Sequence, residues 1–180
     1  MARRPDRAPL RYTALVHPYL QQATDELVRA AGGLDVATVA RPAGDRWSIA
    51  EILEHLTLAF RGNGRALEKA LASGELRARR PRLRQRLGRI LVVDLGYFPR
   101  ARAPEMTTPS ASIPPESSLD AAREALVALD ATLDRVASRF GEDVAVSNHP
   151  YFAAMSVRQW RKFHWRHTRH HARQIRERAR

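Results

Sequence analysis

Four of the seven histidines of this 180-residue chain lie within eight residues near its end, in the stretch HWRHTRHH: His164, His167, His170 and His171. A neutral imidazole ring is a common ligand of divalent metals. His167 and His171 are four residues apart, so on a helix their rings lie over one another one turn apart, as in HExxH zinc helices. The cluster is consistent with a metal site, a nucleic-acid-binding surface or ordinary residues of a charged helix.

A helical wheel separates most of these histidines from the surrounding cations. Roughly a third of the circumference carries the residues that should face a core, and these are Val157, Trp160, His164, His167, His171, Gln174 and Ile175. The opposite side carries Arg158, Lys162, Arg166, Arg169, Arg173 and Arg176, and His170 lies at the margin. Buried imidazoles need a partner at each nitrogen and repel one another when protonated, and a divalent metal resolves both problems. This placement favours a metal site.

A pair of histidines rarely suffices to hold a metal, so a third ligand is expected elsewhere in the chain. His55 is the only histidine that falls inside another predicted helix. As a boundary histidine of that helix it could equally bind a single water, so the residues alone leave its role open.

Four helices are predicted to position these side chains. The first spans Pro18 to Ala31, with Pro18 at its start and Gly32-Gly33 at its end. The second follows Ser48, which forms a capping-box pattern with Glu51, and runs to about Ser73. The third begins at Ser117 or Ser118 as its N-cap, and the fourth follows Ser156. With no alternating strand pattern, the sequence predicts an all-α four-helix bundle.

The stretch between the second and third helices is irregular and long. The basic segment 77–103 includes a short amphipathic pattern, and a proline-rich loop follows it up to about Ser118. Loops of this length often cover a functional site. Residues 1–9 are polar and are predicted to be disordered, which leaves residues 10–180 as a single domain.

The overall composition narrows the classes of function. A net charge of +12 favours nucleic acid or an anionic surface, but nearly all the cations are arginines spread over every segment, which is typical of GC-rich codon usage. Nucleic acid is therefore a less favoured partner. The absence of cysteine excludes thiolate ligands and a cysteine nucleophile. No signal peptide or long apolar run is apparent, so a cytoplasmic location is expected.

Three stretches together resemble the DinB/YfiT-like superfamily of metal-binding four-helix bundles: RWSIAEILEHL (Arg46–Leu56), NHPYFAAMSVRQW (Asn148–Trp160) and HTRHHARQI (His167–Ile175). In that family a tryptophan-serine start precedes a helix with one histidine, and the last helix supplies two more. The resemblance implies a metal triad of His55, His167 and His171, with His164, Gln174 and Trp160 in the pocket or behind the ligands. Relatives often carry a glycine after the aromatic residue, where this chain has Ala153-Ala154.

The resemblance also implies a range of functions. Characterised branches include transferases and isomerases that use mycothiol, bacillithiol or glutathione, so the expected cofactors are a divalent metal (zinc, nickel, manganese or iron) and a low-molecular-weight thiol. A small-molecule substrate and a homodimer are expected as partners. Three hypotheses stay open: a metal-dependent enzyme, a metal-binding bundle without catalysis and a stress-related or unassigned role, and a basic helical protein that binds nucleic acid or a membrane surface.

Overall fold

The computed structural model describes residues 17–76, 78–99 and 102–180, and this part of the chain is mostly helical. The predicted disorder of residues 1–9 lies outside the described residues. The helices are α1 (Pro18–Ala31), α2 (Val36–Ala40), α3 (Ile49–Ser73), α4 (Leu83–Arg89), α5 (Ser118–Phe140) and α6 (Val157–Arg178). A π-helical turn at Ile90–Asp94 extends α4, and 3₁₀ turns lie at Glu105–Thr107 and Pro115–Ser117. Two short strands are β1 (Ala145–His149) and β2 (Ala153–Ser156).

The four long helices share one hydrophobic core. Helix α3 packs mainly against α5, and α1 packs mainly against α6, with further contacts that join the two pairs. Each long helix turns an apolar stripe inward, and the largest fully buried side chains include Phe60, Leu20, Leu27, Leu56, Leu129 and Leu133. Among the described residues, no helix combines the length and apolar character that crossing a membrane requires.

Local sequence signals set the starts of α3 and α6. The Ser48 hydroxyl accepts from the Glu51 amide at 3.2 Å, and the Glu51 carboxylate accepts from the Ser48 amide at 2.7 Å, which confirms the predicted capping box. Ser156 and Gln159 form the same reciprocal pair at the start of α6. These caps satisfy amide groups that the first turn leaves without helical partners, and so fix where both histidine-bearing helices begin.

Ser117, one of the two predicted positions, is the N-cap of α5, and the helix begins at Ser118. The Ser117 side chain makes no capping hydrogen bond to the first turn. Ser117 donates to the Pro114 carbonyl at 3.1 Å and Ser118 donates to the Pro115 carbonyl at 2.8 Å. The preceding 3₁₀ turn provides these closer carbonyl acceptors, and they compete successfully with the capping geometry.

The sequence shows no alternating strand pattern, but β1 and β2 form an antiparallel hairpin that leads into α6 and adds to the helical fold. All four residues of β2 are buried, so the strand shows no alternation of polar and apolar residues that a sequence pattern would reveal. The register pairs His149 with Ala153, and Ala153 adopts a left-handed backbone with φ of 57°. This is the position at which the family resemblance expects a glycine.

Candidate metal centre

Three histidines from two helices converge in the interior. His55 lies in α3, and His167 and His171 lie one turn apart in α6. The Nε2 atom of His167 is 3.3 Å from that of His55 and 3.1 Å from that of His171. One nitrogen from each ring falls within 4.8 Å of the others, so the three could hold a metal ion.

The outer nitrogens of two rings determine their tautomers. His55 Nδ1 lies 2.7 Å from the backbone carbonyl of Thr107, which can only accept, so Nδ1 carries the proton and Nε2 carries a lone pair. His171 Nδ1 lies 2.8 Å from the side-chain oxygen of Gln174, and the same reasoning applies. Two lone pairs therefore face His167 at the centre of the group. Hydrogen bonds of this kind are what orient metal-binding histidines elsewhere.

His167 cannot satisfy both of its neighbours by itself. A single N–H at its Nε2 can point directly to only one of the two lone pairs, and its Nδ1 is buried without a hydrogen-bond partner among the described residues. Close lone pairs and an orphaned ring nitrogen are costly in a buried site. A cation that accepts all three Nε2 lone pairs removes the first cost, so the residues present fit a divalent metal.

Burial keeps all three rings neutral. It lowers the pKa of His55, against a smaller opposing effect of the Thr107 carbonyl. Burial, and then repulsion from neighbouring histidines, holds the pKa values of His167 and His171 well below the ordinary value. Neutral imidazole is the form that binds metal, so the ligands need lose no proton at neutral pH.

The segment between α4 and α5 lies against the site. Thr107 supplies the carbonyl to His55, and the ring of Phe98 stacks on His170 at 4.9 Å and on His167 at 5.7 Å between centroids. The sequence predicts a long proline-rich loop over a functional site. The described part of this segment is irregular apart from the two 3₁₀ turns, and Phe98 and Thr107 contact the histidine group.

Glu54 attaches this segment to α3. Its buried carboxylate accepts hydrogen bonds from the amides and hydroxyls of Ser110 and Ser112, at 2.7–3.3 Å. Burial raises the pKa of Glu54, but these four bonds outweigh it and hold the pKa below its ordinary value. The residue next to His55 in the chain thus fixes the segment that supplies the hydrogen-bond acceptor of His55.

The other predicted pocket residues occupy distinct places. Gln174 contacts His171, and its side-chain nitrogen lies 3.1 Å from His170 Nε2. His164 is fully buried, lies 2.9 Å from the Asn63 side-chain nitrogen through its Nε2, and stacks on Trp160 at 5.6 Å. Burial lowers the pKa of His164 to about 3. His164 and Trp160 therefore form a layer outside the group of three, and half-buried His170 lies at its edge.

Several residues of this site were not predicted from the sequence. Thr107 acts through its backbone, which no side-chain pattern can reveal. Phe98 and Glu54 act through an irregular segment whose path only the fold defines. Trp47 of the RWS motif packs beside His55, with 4.9 Å between the ring centroids, and no local pattern predicts this contact.

Comparison with known proteins gives the family. The sequence profile of the DinB superfamily matches residues 19–175, so the chain belongs to that superfamily. Comparisons with curated proteins and with solved structures found no match.

Proposed function

We propose that this member of the DinB superfamily binds a divalent metal through His55, His167 and His171 and uses it for small-molecule chemistry. The single observation that carries the proposal is the convergence of three Nε2 atoms, two of them held as lone-pair donors by Thr107 and Gln174. Zinc, nickel, manganese and iron all accept imidazole ligands, so the ligand set leaves the choice among them to availability.

Three protein ligands leave coordination positions open, as in catalytic rather than closed structural sites. When bound, the metal would lower the pKa of a thiol or water that reaches it and so supply a nucleophile at neutral pH. The chain has no cysteine, so a thiol nucleophile would come from a low-molecular-weight cofactor. We infer that the reaction is a transfer or isomerisation of this thiol-dependent type.

The surrounding residues would orient the ligands and limit access of water. Thr107 and Gln174 hold two imidazoles in the tautomer that a metal needs, and Phe98 covers His167 from the side of the loop. The four long helices support the further inference that residues 10–180 form one domain, the four-helix bundle of the family.

Elemental analysis of protein purified without an affinity tag tests the metal. We expect about one divalent ion per chain in the wild type and a loss of stoichiometric metal in His167→Ala, because two ligands rarely suffice. His164→Leu is the matched control: it removes a buried histidine of the same helix face and should keep the metal. Equal metal content in the two variants would refute the assignment.

Turnover separates an enzyme from a metal-binding protein without catalysis. Thiol-dependent conversion of an electrophilic substrate, abolished by His55→Ala and retained by His164→Leu, supports the enzyme. Stoichiometric metal binding without turnover for mycothiol, bacillithiol or glutathione favours the alternative of a metal-binding bundle in a stress-related or unassigned role.

The nucleic-acid alternative has weaker support. On α6, Arg158 pairs with Asp143 at 3.0 Å, Lys162 with Asp94 at 2.7 Å and Arg176 with Glu26 at 3.2 Å, so much of its basic face is neutralised within the chain. Salt-sensitive DNA binding that survives both His55→Ala and His167→Ala would favour that alternative.

A further inference from the structure

Helix α4 exposes its apolar side. The side chains of Leu83, Leu87, Ile90 and Leu91 are 72, 58, 46 and 37 % exposed. At about 100° per residue these four positions fall within one sector of roughly 100°, which is the width of a normal buried stripe. A contiguous apolar stripe on a surface helix usually marks a surface that another body covers.

The opposite side of this helix holds it in place. Val92 and Val93 of the π-helical turn are buried in the core. Gly88 lies against the ring of Phe152, where an added Cβ would stand 3.6 Å from the ring carbons. The Arg89 guanidinium donates to the Ala154 carbonyl at 3.1 Å. Helix α4 and the π-helical turn that extends it therefore pack through Gly88, Arg89, Val92 and Val93, and they leave the apolar stripe outward.

The charge around the stripe has one sign. Between Glu75 and Asp94 the sequence has seven arginines and no acidic residue. On the helical wheel, Arg84 flanks one edge of the stripe and Arg86 flanks the other. An apolar stripe between rows of arginine is the pattern of helices that lie in the interface of anionic membranes.

A second observation comes from the cavity beside this helix. It has a volume of about 600 Å³ and is lined by Arg79, Arg80, Arg86, Arg89 and Arg158, together with the start of α6. Its acidic lining residue, Asp143, is paired with Arg158 at 3.0 Å. Arg89 donates to Ala154 and Arg158 pairs with Asp143, so Arg79, Arg80 and Arg86 are the groups assigned to an anion here. Guanidinium groups bind phosphate oxygens in a bidentate manner, which suits this side of the cavity to anionic headgroups.

We propose that the surface formed by α4 and this cavity docks on an anionic lipid surface. The four apolar side chains enter the interface, and the arginines bind lipid phosphates. A second copy of the chain is a poorer occupant, because a symmetric contact would place these arginines against their own equivalents. The proposal is independent of the metal site.

Vesicle flotation with the full-length protein tests this proposal. We expect binding to phosphatidylcholine vesicles that contain 30 % phosphatidylserine, little binding to pure phosphatidylcholine, and weaker binding as salt is raised. The variant Leu83→Ser/Leu87→Ser/Leu91→Ser should lose at least about tenfold in partition coefficient. Its control is Val28→Ser/Val36→Ser/Val144→Ser, which removes three exposed apolar side chains elsewhere and should bind as the wild type does.

The contribution of the arginines to vesicle binding is tested with a second pair of variants. Arg80→Gln/Arg84→Gln/Arg86→Gln should weaken partitioning at least about tenfold, whereas Arg29→Gln/Arg123→Gln/Arg173→Gln removes the same net charge elsewhere and should change it far less. Unchanged circular dichroism and thermal denaturation in all variants show that the fold is intact.

Three results would overturn the proposal. They are an absence of binding to anionic vesicles, binding that both leucine and valine variants retain, and a concentration-dependent dimer that only the leucine variant abolishes. The last result would identify the stripe as an interface between copies of the chain.

Discussion

Helix α6 buries polar side chains at two places, and the two places differ in the charges that surround them. Arg161 is 2 % exposed and lies among three carboxylates, those of Asp130, Asp134 and Glu142. The second place holds His167 and His171, and the charges that lower the pKa of His167 come from other histidines. The first cluster finds its counter-charges within the chain, whereas the second gathers like groups around one point.

The difference distinguishes a buried cation that is paired within the chain from a candidate binding site. The Arg161 cluster joins α6 to α5 through opposite charges. Converging lone pairs are stabilised only by something that accepts them. Two clusters on one helix can therefore be told apart by how each responds to substitution, metal and pH.

The largest effect is expected at the cluster with internal counter-charges. Arg161→Met leaves buried Asp130 without its cation, and we expect a loss of about 3–5 kcal/mol in the free energy of unfolding, measured by urea denaturation. Asp130→Asn in the same chain should recover part of the loss, because it removes the uncompensated charge.

Arg158→Met is the control for this prediction. Arg158 is an exposed cation of the same helix, paired with Glu142 and Asp143, and such pairs contribute at most about 1 kcal/mol. If Arg161→Met lowers the free energy of unfolding no more than Arg158→Met does, the Arg161 cluster does not act as a buried structural unit. The contrast between the two clusters of α6 would then be wrong.

A smaller effect is expected at the histidine group, where a fall in pH should lower the free energy of unfolding of the metal-free protein. Burial lowers the pKa of His167 in the folded state, so the unfolded chain binds more protons below about pH 6.5. This contribution to stability is present above pH 6.5 and is lost as the pH falls. Between pH 7 and pH 5 the wild type in chelator should therefore lose up to about 2 kcal/mol more than His167→Leu. Saturating metal should raise the stability of the wild type but leave this loss at least as large, because the unfolded chain still takes up the protons. Equal losses in the two metal-free proteins would contradict a neutral buried ring.

The smallest effect on stability is expected at Ala153, which lies outside both clusters. Ala153 adopts a left-handed backbone that an L side chain rarely occupies, so Ala153→Gly should stabilise the protein by about 0.5–1 kcal/mol. Ala154→Gly, one residue on in the same strand, should destabilise it by about 1 kcal/mol or more, because it adds freedom to the unfolded chain and removes a buried methyl group. Neither change should alter metal content. Thermal denaturation of the pair measures both signs, and a loss of stability in Ala153→Gly would show that the methyl group has a packing role.

The two clusters also differ in how far the sequence predicts them. Wheel positions and the four-residue spacing placed His167 and His171 on the inner face of the last helix, and the family resemblance added His55. Nothing local marks Arg161 as buried, because its carboxylates lie on α5 and in the connector that follows. The helix caps at Ser48 and Ser156 were predictable because each is a contact between near neighbours. Thr107 and Phe98 were not, since their positions depend on the path of an irregular segment.

The bonds of Glu54 have a consequence for how fast the site exchanges its contents. Ser110 and Ser112 are fastened to α3 at the residue adjacent to His55, and Thr107 is fastened to His55 itself. Lifting this segment would break the hydrogen bond that fixes the tautomer of His55. If the proposed metal binds, its exchange should therefore be coupled to opening of this segment.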